Sequence, residues 1–149
     1  MWSAGVDEAG RGPVIGPLVV GAVAVPKKDL KFLTDHGIRD SKDLTHAKRV
    51  AMATWFHEQA GQRGWLHQVI VCPPDRIDAS VQNNGLNLLE VDLFAEALNP
   101  FKDHVESGLE VLNDACDVNA QRFTDRIAAR LNGWPWPKST MTSEHKADT

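Results

Sequence analysis

Residues 5–23 of this chain read GVDEAGRGPVIGPLVVGAV, and this stretch decides how the fold begins. Two short apolar runs, residues 5–9 and 16–25, are separated by turn-forming residues, namely Gly10, Gly12, Pro13, Gly16 and Pro17. Because glycine and proline interrupt regular structure, the pattern is typical of a strand, a tight turn and a second strand. We expect the two strands to pair as an antiparallel hairpin.

Two adjacent acids, Asp7 and Glu8, interrupt the first apolar run. Strand side chains alternate, so the two carboxylates should lie on opposite faces of the sheet. If helices cover both faces, at least one carboxylate is buried, and a buried carboxylate must be paired, protonated or bound to a cation. The pair is therefore one candidate for a metal site. The alternative is that Asp7 lies at the strand end and accepts hydrogen bonds from turn amides.

The turn formed by Gly10, Arg11, Gly12 and Pro13 follows the acidic strand directly. Two glycines let the backbone approach a ligand closely, and the arginine between them can bind a phosphate. A plain turn is the alternative. The glycines also resemble a stretched dinucleotide-binding G-x-G-x-x-G pattern, but Pro13 and the absence of a following helix argue against that interpretation.

Hydrophobic periodicity predicts the remaining elements. The predicted helices cover residues 44–61, 86–98 and 119–131, and the predicted strands cover residues 66–72 and 109–116. Pro73 and Pro74 stop the third strand, and Pro100 closes the second helix. Asn119 is the expected N-cap of the last helix.

The 149 residues are 42% hydrophobic and 24% charged, which is the composition of an ordinary globular domain. No repeat, low-complexity segment or interior linker divides the chain, so we predict one α/β domain over residues 1–149. The most apolar stretch, residues 14–25, is too short and too interrupted for a membrane span, and no basic leader precedes it. We therefore expect a cytoplasmic protein in which Cys72 and Cys116 are buried thiols.

The net charge of −4 is unevenly distributed along the chain. Residues 27–49 hold seven Lys or Arg against four Asp or Glu, whereas residues 74–117 hold two against ten. The basic segment can meet phosphates, and the acidic segment can hold a metal or simply form a solvated face.

Two further acids are candidates for a metal site. Asp114 interrupts the apolar run VLNDAC, and Asp148 lies in the polar stretch SEHKADT, whereas Asp117 is expected to be a solvated or capping acid. Carboxylates from separate strands suit Mg²⁺ or Mn²⁺, and two such ions form a clamp for phosphoryl transfer. The six histidines show no zinc-ligand spacing. We interpret them as surface or core residues, except His145, which is close to Asp148 in sequence.

Five segments, in order, resemble motifs of the type 2 ribonucleases H, and in detail those of the archaeal enzymes. They are GVDEAGRGPVIGPLVVGAV at 5–23, DSKDLTHAKR at 40–49, GLNLLEVDLFAEAL at 85–98, DACDVNAQRF at 114–123 and SEHKAD at 143–148. The first segment resembles the opening signature of that family and is highly specific. Because the five motifs span nearly the whole chain, coincidence does not explain them.

The resemblance implies a ribonuclease H-like fold of the α/β class. This fold has a five-stranded mixed sheet, with strands 1 to 3 antiparallel, strands 4 and 5 parallel to the first, and helices on both faces. The resemblance also implies endonucleolytic cleavage of RNA in RNA/DNA hybrids and of single ribonucleotides embedded in duplex DNA. The products would carry a 3′-hydroxyl and a 5′-phosphate, in keeping with a role in DNA replication and repair.

By the same resemblance, the catalytic and metal-binding acids are Asp7, Glu8, Asp114 and Asp148. They would hold two Mg²⁺ or Mn²⁺ ions, with Asp7 bridging the pair. One ion would activate the attacking water, and the other would stabilise the departing 3′-oxygen.

The resemblance also implies which residues bind the substrate. Gly10, Arg11 and Gly12 would read the 2′-hydroxyl at an RNA–DNA junction, the group by which a protein distinguishes the two nucleic acids. Lys42 and Asn87 would touch the backbone. The basic segment 27–49 would help a net acidic protein to bind a polyanion.

The chain departs from the family's pattern beyond the fourth acid. The family continues there with further helices and a tyrosine that stacks at the cleaved ribose, whereas this chain ends at Thr149 and contains no tyrosine. We therefore expect the C-terminal helical region to be missing, and with it the support for Asp148. The alternative to an active enzyme is a hybrid-binding fragment or pseudo-enzyme with impaired turnover. Asn113, where the family has an apolar residue, is a smaller departure.

Overall fold

The computed structural model of the chain describes residues 1–9, 18–35, 46–82, 86–104, 107–115 and 117–145. Five strands form one mixed sheet in the order β3-β2-β1-β4-β5. The strands are β1 (Trp2–Ala9), β2 (Leu18–Pro26), β3 (Leu66–Cys72), β4 (Leu109–Asp114) and β5 (Thr140–Glu144).

The pairing of the strands confirms the expected topology. β1 pairs with β2, and β2 with β3, in antiparallel fashion, whereas β1 pairs with β4, and β4 with β5, in parallel fashion. Periodicity alone does not reveal β5, because its sequence TMTSE lacks an apolar face and it pairs only with β4 at the sheet edge.

The described residues form five α-helices. They are α1 (Leu30–Asp35), α2 (His46–Arg63), α3 (Pro74–Gln82), α4 (Leu86–Leu98) and α5 (Ala120–Arg130), with 3-10 turns at Lys27–Asp29 and Asn99–His104. The predicted helices α2, α4 and α5 are confirmed, and the Asn119 side chain accepts a hydrogen bond from the Arg122 amide at 2.9 Å as the predicted N-cap. Within these ranges no helix is both long and apolar enough to cross a membrane.

Helix α3 differs from the expectation that Pro73 and Pro74 only stop a strand. Pro74 occupies the first helical position, where a missing amide hydrogen removes no helical hydrogen bond. Asp75 in the first turn interacts favourably with the positive end of the helix dipole. The amides of Arg76 and Ile77 donate to the carbonyl oxygen of Pro73 at 3.1 and 3.3 Å. The proline pair therefore ends β3 and also begins α3.

One face of the sheet, which we call the covered face, packs against α4 and α5. The buried residues of β1, β2 and β4 alternate along each strand and belong to one hydrophobic cluster with both helices. At its centre, Phe94 of α4 and Phe123 of α5 meet edge to face with ring centroids 5.0 Å apart, and both side chains are fully buried. The main core of the protein lies between this face and the two helices.

The opposite face, which we call the open face, presents the alternate residues of the same strands. Val69 and Val71 of β3 are each 58% exposed. At one end of this face, Val25 joins a smaller cluster with Trp65 and with aromatic residues of α1 and α2, namely Phe32, Trp55 and Phe56. Helices α1 and α2 therefore lie over one end of the open face and leave apolar strand residues exposed beyond it.

Candidate active site

Three of the predicted acids line one cleft where the carboxyl ends of β1 and β4 meet. The two strands are parallel neighbours, so their last residues lie at the same edge of the sheet. Asp7 and Glu8 lie near the end of β1, and Asp114 is the last residue of β4. The cleft has a volume of about 680 Å³ and is also lined by Glu144 and His145 at the end of β5. The sheet topology therefore gathers acids that are far apart in the sequence.

The floor of this cleft is the open face of the sheet. Gly5 of β1 and Gly21 of β2 line it, and a Cβ atom added at either glycine would meet no other atom within 4 Å. Asp7 lies beside Gly21 in the strand register. Because side chains alternate along β1, Asp7 shares the face of Gly5, whereas Glu8 shares the face of Val6. The expectation of opposite faces for the two acids therefore agrees with the strand geometry.

The carboxylates in this cleft have the chemistry of a site for a hard cation. Glu8 Oε2 is buried and has no hydrogen-bond partner among the described residues, while the Glu8 amide donates to Asp7 Oδ1 at 2.7 Å. A buried carboxylate oxygen is costly unless a proton or cation compensates it, and Mg²⁺ and Mn²⁺ bind carboxylate oxygens. The donor set fits a divalent cation. Within the described ranges, no three acidic, histidine or cysteine side chains form a group that could hold an ion by themselves.

A polar network lies behind Asp114 on the covered face. Asn113 is fully buried, and its Nδ2 donates to Ser143 Oγ of β5 at 3.5 Å. Ser143 Oγ lies 2.6 Å from Thr124 Oγ1 of α5. The network connects β4, β5 and α5, which an apolar residue at position 113 would not do.

Asp117 is a buried ion-pair partner, so the expectation of a solvated acid is wrong. Its side chain is 1% exposed and receives hydrogen bonds from Arg122 Nε and Nη2 at 2.7 and 2.6 Å. The Asn119 amide also donates to Asp117 Oδ1, at 3.0 Å, which is a local capping contact. The bonds from Arg122 lower the pKa of Asp117 to about 2, although burial acts in the opposite direction. Asp117 therefore fastens the loop after β4 to the first turn of α5.

Several predicted site residues lie outside the described residues. These are Gly10, Arg11, Gly12, Lys42 and Asp148, and Cys116 lies outside them too. Asn87 belongs to the first turn of α4, and its side chain is not described. Cys72 is a buried free thiol, as predicted, and burial raises its pKa.

The described start of the basic segment lies away from the acids. Lys27 and Lys28 line a separate cleft with Trp2 and Arg63, at the end of the sheet where β1 begins. Asp7 is five positions further along the extended strand than Trp2, which corresponds to about 17 Å. These two lysines therefore do not belong to the cleft that holds the acids.

Comparison with known proteins assigns the chain to a family. The family model described as Ribonuclease HII matches residues 4–149. The chain belongs to the ribonuclease HII family. Ribonuclease HII of Pyrococcus abyssi is 41% identical over 148 residues, covering 99% of this chain and 60% of that protein. Ribonuclease HII of Methanococcus maripaludis strain C5 is 37% identical over 144 residues, covering 97% of this chain and 56% of that protein. The chain thus spans less than two thirds of the length of these ribonucleases HII.

Solved structures agree with this ribonuclease HII assignment and with the ribonuclease H-like fold. The crystal structure of ribonuclease H2 from Pyrococcus horikoshii OT3 has a TM-score of 0.74 and 34% identity, covering 99% of this chain and 64% of that chain. Bst-RNase HIII in complex with Mn²⁺ has a TM-score of 0.76 at 18% identity, covering 99% of this chain and 46% of that chain. The second similarity concerns the fold alone.

The structure adds Glu144 to the site, a residue that the sequence did not indicate. Glu144 of β5 pairs in register with Asp114, and both line the cleft. His145, which the sequence set apart only for its position near Asp148, also lines the cleft, and its Nε2 lies 2.6 Å from the carbonyl oxygen of Asp117. The signal for these contacts is the parallel pairing of β4 with β5, which aligns residue 114 with residue 144. That register depends on tertiary structure and cannot be read from either segment alone.

Proposed function

We propose that this chain carries the active site of an endoribonuclease that cleaves the RNA strand of RNA/DNA hybrids and ribonucleotides embedded in duplex DNA. The observation that carries the proposal is the convergence of Asp7, Glu8 and Asp114 on one cleft. Membership of the ribonuclease HII family supports it. The protein would act in the cytoplasm, in DNA replication and repair, and leave 3′-hydroxyl and 5′-phosphate ends.

The acids of the cleft serve as ligands for two Mg²⁺ or Mn²⁺ ions. Asp7, Glu8, Asp114 and Asp148 would hold the ions through their carboxylate oxygens, with Asp7 as the proposed shared ligand. When bound, the ions supply activation of a water molecule and stabilisation of the departing 3′-oxygen. Glu8 Oε2, which is buried and has no hydrogen-bond partner among the described residues, supports this role.

The remaining site residues recognise the substrate. Gly10, Arg11 and Gly12 bind at the 2′-hydroxyl of the RNA–DNA junction, which only the RNA side provides. Lys42 and Asn87 contact the backbone. The glycine-lined floor of the cleft supports this assignment, because it leaves space for a nucleic-acid strand to approach the acids.

A hybrid-binding fragment without turnover is the second candidate. The observation that favours it is the exposed apolar surface of the open face beside the acids. A binding fragment would retain affinity for the hybrid and would not cleave it.

Cleavage of a duplex with one embedded ribonucleotide, measured in Mn²⁺ and in EDTA, separates the two candidates. Removing a direct metal ligand should cost more than the about 10–100-fold typical of residues that only support ligands. We therefore expect Asp7→Asn and Asp114→Asn to abolish cleavage and to leave hybrid binding intact.

Glu110→Gln is the matched control for Asp114→Asn. Glu110 lies on the same strand and face, four residues earlier, which is about 13 Å from Asp114 along β4. This variant should cleave like the parent chain. Metal-independent cleavage, or full activity of Asp7→Asn, would contradict the proposed enzyme. Hybrid binding without cleavage by the parent would favour the second candidate.

Arg11 tests the proposed reading of the junction. Arg11→Ala should lower cleavage at an embedded ribonucleotide more than cleavage within a long hybrid. It should change the salt dependence of binding by no more than about one unit of slope, because one phosphate contact accounts for about that much. An unchanged preference for the junction would instead support a plain turn at residues 10–13.

A further inference from the structure

The ends of β4 and β5 stay connected beyond their last register pair, which is Asp114 with Glu144. The Ala115 amide donates to the carbonyl oxygen of Glu144 at 2.8 Å. One residue further along the chain, His145 Nε2 lies 2.6 Å from the carbonyl oxygen of Asp117. A carbonyl oxygen can only accept a hydrogen bond, so Nε2 carries the hydrogen and donates it. His145 therefore holds the tip of β5 against the loop that follows β4.

The acceptor of this bond is itself fixed in place. Asp117 is bound through its carboxylate to Arg122 at 2.6 and 2.7 Å and to the Asn119 amide at 3.0 Å. Arg122 lies in the first turn of α5, and Asn119 is the N-cap of that helix. These bonds anchor Asp117 through its side chain at the start of α5. His145 thus connects β5 to a rigid part of the structure rather than to a free loop.

The tied segment borders the acidic cleft. His145 and Asp114 both line it, and the chain continues from His145 towards Asp148 three residues later. Metal sites require ligands held in a defined geometry, and the groups that orient ligands contribute strongly to metal affinity. Without the bond to Asp117, the tip of β5 would be held to the loop after Asp114 by the hydrogen bond from the Ala115 amide to the Glu144 carbonyl oxygen, and His145 itself would be released from that loop.

We propose that His145 is a positioning residue of the metal site, which holds the tip of β5 at the acidic cleft by donating from Nε2 to the Asp117 carbonyl oxygen. This inference rests on the proposed metal-dependent function of the same cleft. It assigns His145 no direct contact with the metal or the substrate. The imidazole acts indirectly, by holding the backbone at the end of β5 against the backbone of the loop after β4.

Binding of Mn²⁺ to the whole chain, followed by isothermal calorimetry, tests the proposal with two amide variants. A glutamine amide nitrogen reaches about as far from the backbone as His Nε2, whereas the shorter asparagine does not. We expect His145→Gln to retain most of the Mn²⁺ affinity of the parent. His145→Asn should lose about 10–100-fold, the range found for groups that orient metal ligands.

Two further variants complete the design. His145→Leu removes the donor altogether and should weaken Mn²⁺ binding at least as much as His145→Asn. His104→Leu makes the same substitution at an exposed histidine outside the cleft and should bind Mn²⁺ like the parent. Thermal unfolding in EDTA identifies any variant that fails to fold. If His145→Leu fails to fold, the comparison of glutamine with asparagine still decides the question.

The possible outcomes separate this inference from the proposed function. If the parent chain binds no Mn²⁺, the proposed function itself is wrong. If the parent binds Mn²⁺ and His145→Asn binds it equally well, only the positioning role is wrong. Equal loss of affinity in the glutamine and asparagine variants would also overturn it, because the imidazole ring itself would then be required.

Discussion

Leu109 and Leu112 lie three residues apart on β4, yet Leu109 is fully buried on the covered face and Leu112 is 45% exposed on the open face. The valines behave in the same way, since Val20 of β2 is fully buried and Val71 of β3 is 58% exposed. Residue type and strand pattern are therefore similar on the two sides. The difference in burial comes from α4 and α5, which pack along one face, whereas α1 and α2 cover only one end of the other.

The contrast between the two faces also explains where the candidate site lies. Its floor belongs to the open face, where Gly5 and Gly21 leave space for a ligand. Its support belongs to the covered face, where Asn113 and Asp117 connect β4 to β5 and α5. The packed covered face therefore holds the acids in position, and the open face leaves them accessible to a ligand.

The largest expected effect comes from matched truncations on one strand. Leu109→Ala should lower the free energy of unfolding by about 2–5 kcal/mol, because it leaves a cavity in the main core. Leu112→Ala on the open face should change it by less than about 0.5 kcal/mol. Urea unfolding followed by circular dichroism measures both values. Similar losses for the two variants would show that the open face is packed in solution.

The buried ion pair on the covered side should contribute more to stability than the exposed ion pair on the open side. Asp117→Asn removes the buried negative charge and one of the two oxygens that accept from Arg122, and should cost about 1–3 kcal/mol of unfolding free energy. The Lys27–Glu110 pair, at 2.6 Å, is exposed on both sides, and Glu110→Gln should cost about 0–1 kcal/mol. A cost for Glu110→Gln that equals the cost for Asp117→Asn would contradict the comparison.

The pH dependence of stability isolates the contribution of Asp117. Its pKa is lowered from the ordinary 3.8 to about 2, so its ion pair is fully present above the unfolded-state pKa. This contribution is lost as the pH falls from about 4 towards 2. The Asp117→Asn variant should therefore lose less stability than the parent over this interval. Parallel stability curves for the two proteins, from unfolding at a series of pH values, would show that the native pKa of Asp117 is not depressed.

The smallest effect on stability, with a visible effect on solubility, is expected on the open face. Val69→Thr and Val71→Thr keep β-branched side chains in β3 and replace exposed apolar surface by hydroxyl groups. Unfolding free energy should change by no more than about 0.5 kcal/mol. Self-association, measured by sedimentation velocity, should decrease because large exposed apolar patches promote association. Undiminished association would place the contact elsewhere on the protein.

Local signals in the sequence were sufficient for many elements of the fold. The stripe of apolar residues in α4, the Asn119 cap of α5 and the apolar run of β3 predict those elements, and α4 and β3 have the predicted bounds. These signals work because side-chain period and capping depend only on neighbouring residues. The acids Asp7, Glu8 and Asp114 stand out in the same way, as charged residues within apolar strands.

Other features required information from distant parts of the chain. The short helix α1 is held by an aromatic cluster that includes Phe32 and Trp65, with Trp65 Nε1 donating to Asp29 Oδ2 at 2.8 Å. β5 has no apolar face of its own and forms as a strand through its pairing with β4. In the sequence, Asp117 looks like any acid near the start of a helix. Only the structure shows that its side chain is buried and paired with Arg122.

By itself, the sequence determined the main helices and strands, the acids that interrupt two of the apolar strands, and the likeness to one family of nucleases. Only the tertiary structure decided which face of the sheet is covered, that Asp7 and Asp114 line the same cleft, and that His145 binds the Asp117 carbonyl oxygen. The physical reason is the distance along the chain over which each kind of interaction acts. Helix and strand propensities act between neighbouring residues, whereas burial, strand register and the assembly of a site depend on segments that meet only after the chain has folded.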